Sequence, residues 1–304
     1  MIPYFSSFSI DINFFGITQF TIHAFGIFAM SAFFASVFAS EKKASQLTLS
    51  KNYMFELYII LVLGIIVGGH LGYIFMYKPA SLITDPFTIF KLNEGLSSAG
   101  GILTSLALIY FYCRYRSIKL SAYLTPIVFS FPIGWFIARL GCTINHEHPG
   151  TATDFFLGRY CRPVEGANWE WPRFFNVPFG DLRFASCLDS NNPVLSYSQS
   201  VDLNEFNGIV GVHDMGLYEA LYALVISIIF YCFFRKRHDL NFYLYILCFT
   251  YLPLRFAMDF LRPLADNPRY FELTPAQWVC LLGSFCLAFH FKFYNSNIGK
   301  LKCS

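Results

Sequence analysis

Trp135-Phe-Ile-Ala-Arg139-Leu-Gly-Cys142-Thr-Ile-Asn145-His146-Glu147-His148-Pro149-Gly150 begins as the apolar end of a hydrophobic segment. It finishes, with no linker between, as a knot of ionisable and polar groups. An arginine closing such a run costs a few kcal/mol unless it is paired or reaches the interface. The stretch therefore reads as the end of a membrane helix that enters a functional site.

The rest of the chain fits that reading. Of 304 residues, 55% are hydrophobic and 13% charged, with 37 phenylalanines and a net charge of +3. Ordinary soluble domains carry roughly 25% charged residues, so a polytopic all-α membrane protein is expected. A span needs about 20 mostly apolar residues, and seven candidates satisfy this: 20–39, 57–77, 98–113, 121–143, 216–234, 241–261 and 274–293. The third is short, and its Ser97-Ser98-Ala99-Gly100-Gly101 start suggests an irregular or re-entrant entry.

Basic residues give the orientation. Lys42, Lys43 and Lys51 follow the first span, and Arg114, Arg116 and Lys119 the third. Arg235, Lys236 and Arg237 follow the fifth, and Lys292, Lys300 and Lys302 the seventh. Every second connection is basic, which puts these four in the cytoplasm and the N-terminus outside. One membrane domain, 1–304, is expected, with an extracytoplasmic loop or small head region at 144–215 between the fourth and fifth helices. The first ten residues lack a basic region, so no cleavable signal peptide is expected. Cys161 and Cys187 lie within the outer loop and could bridge if that compartment is oxidising.

With each helix given a direction, the polar residues gather toward one leaflet: His23, His70, Arg139, the segment His213 to Glu219, and the pair Arg255 and Asp259. The last two are four apart on one helical face. A transporter would carry polar groups through the midplane to both sides. A one-sided cluster suits a lipid headgroup better. Each residue also has a plain structural reading: Arg139 as a snorkelling boundary residue, Arg255 and Asp259 as a mutually satisfied pair, His23 and His290 as interfacial. Gly68-Gly69 and Gly100-Gly101 read first as close-packing points between helices. The adjacent His146, Glu147 and His148 lack zinc-type spacing, so no metal is expected; nor is any cofactor or nucleic acid.

Five ordered motifs resemble the prolipoprotein diacylglyceryl transferase family. Arg139-Leu-Gly-Cys-Thr-Ile-Asn145-His-Glu147-His-Pro-Gly150 is similar to its signature Arg-x-Gly-Asn-Phe-x-Asn-x-Glu-x-x-Gly. Leu63-Gly-Ile-Ile-Val-Gly-Gly-His-Leu-Gly-Tyr73 looks like its Gly-Gly-Arg-x-Gly-Tyr helix, and Gly95-Leu-Ser-Ser-Ala-Gly-Gly101 like Gly-Met-Ser-Phe-His-Gly-Gly. His213-Asp-Met-Gly-Leu-Tyr218-Glu219 parallels His-Pro-Ser-Gln-Leu-Tyr-Glu. Arg255-Phe-Ala-Met-Asp259-Phe-Leu-Arg262-Pro263 parallels Arg-Phe-x-x-Glu-Phe-x-Arg-x-Pro, followed by Gln277-Trp278. Seven helices with the N-terminus out is the family's topology as well. The departures are specific: the family's essential histidine falls on Ala99, its first-helix tyrosine on Phe25, its second-helix arginine on His70, and the first asparagine of the signature on Cys142.

The resemblance implies a bacterial inner-membrane enzyme that moves a diacylglyceryl group from phosphatidylglycerol to the lipobox cysteine thiol of a secreted prolipoprotein, releasing glycerol phosphate. Headgroup binding would fall to Arg139, Asn145, Gly100, Gly101, Asp259, Arg262, His70, Tyr218 and Glu219. Arg139 and Arg255 would hold the anionic group across the bundle, oriented by Glu147 and Asp259. With Ala99 unable to take a proton, the base is expected at His213, whose neighbour Asp214 would raise its basicity; His146 and His148 come second and His70 third. The alternative is a relative that binds lipid, has lost catalysis, and acts as a partner or regulator.

Overall fold

Apolar runs of about 20 residues can satisfy their backbone within one segment only as helices, which is what an apolar medium demands of a single span. The computed structural model describes residues 9–14, 18–79, 82, 85–90, 95–145, 149–161, 180–185, 196–200, 210–262 and 269–302. Seven α-helices occur among the described residues: α1 Ala24–Gln46, α2 Lys51–Tyr77, α3 Ser98–Tyr115, α4 Leu120–Ile144, α5 Met215–Cys232, α6 Leu240–Met258 and α7 Pro275–Lys302. Each lies on one of the expected segments. Five are long and apolar enough to cross a membrane: α1, α2, α4, α5, and α6 with the 3-10 turn Asp259–Leu261 that continues it. The apolar part of α7, Pro275–Phe291, is shorter. Phe34, Phe38, Phe55, Phe111 and Phe285 leave more than half their surface uncovered. Such side chains suit lipid rather than water.

The chain divides into two compact units. The first comprises Met1–Phe38, Ser130–Cys232 and Phe260–Asn267. It opens with an antiparallel hairpin, β1 Ser9–Phe14 and β2 Thr18–His23, in register from Ser9 opposite His23 to Phe14 opposite Thr18. The first span was expected from residue 20; residues 20–23 belong instead to this hairpin, and the helix begins at Ala24. The physical cause is the period-two alternation of Ser-Ile-Asp-Ile-Asn-Phe, which favours a strand. Glycines on α4 let α1 approach closely: a Cβ at Gly141 would stand 2.6 Å from Phe28 Cβ, and one at Gly134 would meet Ser36 and Ala32. The loop after α4 carries a three-stranded antiparallel sheet ordered β3-β7-β4 (β3 Pro149–Ala152, β4 Arg159–Cys161, β7 Val210–Asp214) and a second hairpin, β5 Gly180–Ala185 with β6 Ser196–Ser200. Whether Cys161 and Cys187 bridge turns on Cys187, which lies outside the described residues.

The second unit comprises Ala39–Phe129, Phe233–Asp259 and Pro268–Ser304. Its seam is α2 against α3. Gly64, Gly68 and Gly72 recur every fourth residue on α2 and meet Ser105, Thr104 and Gly100 of α3, the small-residue spacing that lets two backbones pack closely in lipid. A Cβ on Gly72 would lie 2.6 Å from Gly100 Cα. The re-entrant start expected for the third span is corrected by this seam. Ser97 caps a regular helix, its Oγ accepting from Gly100 N–H at 3.3 Å, while its own N–H donates to Gly69 O at 2.8 Å. The glycines are there because α2 occupies the space, not because the backbone is irregular.

Lys42 and Lys43 were expected in a cytoplasmic loop; they lie inside α1, and Lys43 is fully buried. Its ammonium faces the rings of Phe129, Phe234 and Tyr243 at 5.4, 5.2 and 5.5 Å and donates to the carbonyls of Phe234 and Arg237. Those carbonyls belong to the turn after α5, and three aromatic faces offset part of the cost of burying the charge.

Candidate active site

Among the described residues, each unit holds a motif arginine paired with a buried carboxylate. In the first, Arg139 near the end of α4 places Nε 2.6 Å from Glu219 Oε2 on α5; Arg139 is 17% exposed and Glu219 fully buried. The carboxylate expected beside Arg139 was Glu147, which with His146 and His148 lies outside the described residues. Glu219 fills that role, having been grouped by motif with the headgroup ligands. Arg139 Nη1 also approaches Cys142 Sγ, a weak sulfur acceptor, at 3.8 Å. Asn145 follows within the final turn, its N–H donating to Gly141 O at 2.9 Å.

One turn further along α4 the chain builds a second layer. Asp214 caps α5, accepting from Leu217 N–H at 2.9 Å and from Thr143 Oγ1 at 3.4 Å. Arg159 of β4 is 3.5 Å from the Asp214 carboxylate and donates to Thr143 O at 3.0 Å. Asp214 was expected to raise the basicity of His213. The structure corrects this, because successive residues of a strand face opposite sides: Asp214 turns to Arg159 and the helix cap, whereas His213 Nδ1 meets Tyr218 Oη at 2.9 Å. Burial pushes the His213 imidazole below its ordinary value of 6.5. Phe155 lies over this pair, with ring centroids 6.4 Å from His213 and 6.0 Å from Tyr218. Gly150 permits the approach from below, since a Cβ there would lie 2.6 Å from His213 Cβ.

The second centre is Arg255 with Asp259, 3.0 Å apart across one helical turn, Asp259 being 2% exposed. Thr274 Oγ1 donates to the same carboxylate. Thr274 and Gln277 form a capping box at the start of α7: Gln277 Oε1 accepts from Thr274 N–H at 2.9 Å, and Thr274 Oγ1 from Gln277 N–H at 3.2 Å. Gln277 Nε2 then reaches Phe256 O at 3.2 Å. Arg262 follows the 3-10 turn, half-buried.

A family model described as prolipoprotein diacylglyceryl transferase matches residues 13–292. The chain belongs to the prolipoprotein diacylglyceryl transferase family. Relatives named phosphatidylglycerol–prolipoprotein diacylglyceryl transferase are similar to it over shorter lengths. That of Caldanaerobacter subterraneus subsp. tengcongensis is 29% identical over 126 residues, 41% of this chain and 49% of that protein. That of Rickettsia bellii is 34% identical over 122 residues, 39% and 44% of the two chains. A third, from Rickettsia rickettsii, is 38% identical over 101 residues, 32% and 38%. The chain spans about half the length of the curated relatives it matches.

Within the prolipoprotein diacylglyceryl transferase fold, three residues expected at the headgroup are occupied otherwise. Gly100 and Gly101 pack against the backbone of α2 at Gly72 and Ile65. His70 is 1% exposed, and its Nε2 donates toward the carbonyls of Thr88 and Ile89 at 3.2 and 3.0 Å, tying the 3-10 turn Pro86–Phe90 to α2. Ala99, where a family histidine was expected from the motif, lies in the first turn of α3. Arg159 went unnoticed in the sequence because nothing in its neighbourhood marks it. Asp214 carried a readable sign, an acidic residue directly before an apolar helix.

Proposed function

We propose that this chain is a membrane-embedded diacylglyceryl transferase that takes the group from a phosphatidylglycerol-like lipid and passes it to a lipobox cysteine of a secreted prolipoprotein. The observation that carries the reading is the Arg139–Glu219 pair: a guanidinium oriented by a fully buried carboxylate and still partly exposed. An arginine guanidinium is a planar fork of N–H donors, the geometry that binds a phosphate best. In the reaction the thiolate sulfur attacks the glyceryl carbon. The S–C bond forms as the C–O bond to phosphate breaks, and glycerol phosphate leaves with the negative charge that Arg139 neutralises.

The thiol must first lose its proton. We assign this to His213, with its own proton on Nδ1 donated to Tyr218 Oη and the Nε2 lone pair receiving the thiol proton. Burial keeps the ring neutral near pH 7, the form a base requires. The proposal includes seven spans in a bacterial inner membrane, with the N-terminus and the 144–215 region outside. A second reading, a lipid-binding relative without catalysis, is favoured by Ala99. Expression in a transferase-depleted bacterium separates the two. Restored growth, with a diacylglyceryl mass on a reporter lipoprotein, supports the enzyme. An unmodified reporter, with the protein present in the membrane, supports the second reading.

A further inference from the structure

We propose that Arg159 is a positioning residue of this site, setting the aim of the Arg139 guanidinium through the two helix ends it ties together. Arg139, Thr143, Arg159, Asp214 and Glu219 all lie within the first unit. Arg159 is 1% exposed, in a loop strand that the transferase motifs do not include. Its Nη1 donates to Thr143 O at 3.0 Å and is 3.5 Å from Asp214 Oδ2. Thr143 O belongs to the last turn of α4, which leaves its final carbonyls without intrahelical partners; Asp214 caps the first turn of α5, which leaves its first N–H groups in the same state. A single guanidinium therefore satisfies one helix end and holds the cap of the other, and its charge suits a helix C-terminus.

Thr143 lies four residues beyond Arg139, on the same face of α4, and Glu219 lies five residues beyond Asp214, in the second turn of α5. The same two helices are thus joined twice, by Arg159–Asp214–Thr143 at their ends and by Arg139–Glu219 one turn inward. Gly216 keeps them close, since a Cβ there would stand 2.9 Å from Thr143 Oγ1. With the outer tie gone, the two helix ends can part. A shift of about 1 Å at a positioned group can cost on the order of 100-fold in rate. Arg159 does not touch the lipid in this account; it acts through Arg139.

The inference rests on the reading of Arg139 as the phosphate ligand, and the test keeps the two apart. Full-length protein in phosphatidylglycerol vesicles is assayed for transfer to a lipobox peptide, with thermal unfolding measured on the same samples. The expected result is that R159Q lowers kcat/KM at least about tenfold while unfolding stays cooperative, with R159K recovering part of the loss. In an E219Q background R159Q is expected to cost less than about twofold more, because coupled residues are non-additive. Should R159Q not fold, R159K and Asp214→Asn, which keeps a cap acceptor for Leu217 N–H but removes the charge that Arg159 faces, carry the same comparison. Full activity in R159K and R159Q, or losses that multiply in the E219Q background and track the lost folded fraction, would overturn the positioning role. Full activity in R139Q would instead overturn the site reading beneath it.

Discussion

At the scale of single residues, the account turns on what each charged group faces. His213 offers a pH test. Its Nδ1 shares one hydrogen bond with Tyr218 Oη, assigned above as donated by the ring, Asp214 faces away to Arg159, and burial lowers the imidazole below 6.5. A histidine whose folded value lies below its unfolded one binds fewer protons when folded, so its stabilising contribution is complete above about pH 6.5 and is lost as pH falls through the folded value. Thermal unfolding of the wild type should therefore weaken relative to His213→Gln on going from about pH 7.5 to pH 5, and the acid limb of kcat/KM should lie below 6.5. An acid limb above 6.5 would contradict the burial argument. Arg255 and Asp259 were legible in the sequence because four-residue spacing on a helix has one geometric meaning. Glu219 as the partner of Arg139 was not, since it comes 80 positions later and only folding brings them together.

At the scale of elements, the sequence marked the helices well and the strands poorly. Apolar length alone locates α1 to α7, whereas β1 and β2 hide beside an apolar run that extends the first span past its true start. The glycines of α2 and α3 were legible as packing points, and the structure adds which surface they serve. Replacing Gly72 by Leu inserts a side chain where Gly100 Cα lies 2.6 Å from even a Cβ. Overpacking of this kind costs about 1–3 kcal/mol or more, so the variant should unfold several degrees below wild type in detergent. Val225→Leu, at an exposed position of α5, should leave the midpoint unchanged. Equal midpoints for the two variants would remove the α2–α3 seam from the account.

For the whole molecule, the alternation of basic connections carries the proposed orientation, and it yields a direct prediction. Reporters fused after Arg116 and after Arg237 should be active only as cytoplasmic reporters, and one inserted in the 186–195 segment only as an extracytoplasmic one; any reversal would invert the assignment of sides. The burial of Lys43 adds a constraint that counting charges could not supply, because an ammonium enclosed by three rings and two carbonyls serves packing as well as topology. All of this converges on Arg139. The measurement that bears on it most directly is the initial rate of diacylglyceryl transfer from phosphatidylglycerol vesicles to a lipobox reporter, read by mass, for wild type and R139Q. The account predicts transfer by the wild type and a loss on the order of 100-fold or more in R139Q with the fold retained. An unmodified reporter with the wild type, or equal rates in the two proteins, would contradict it.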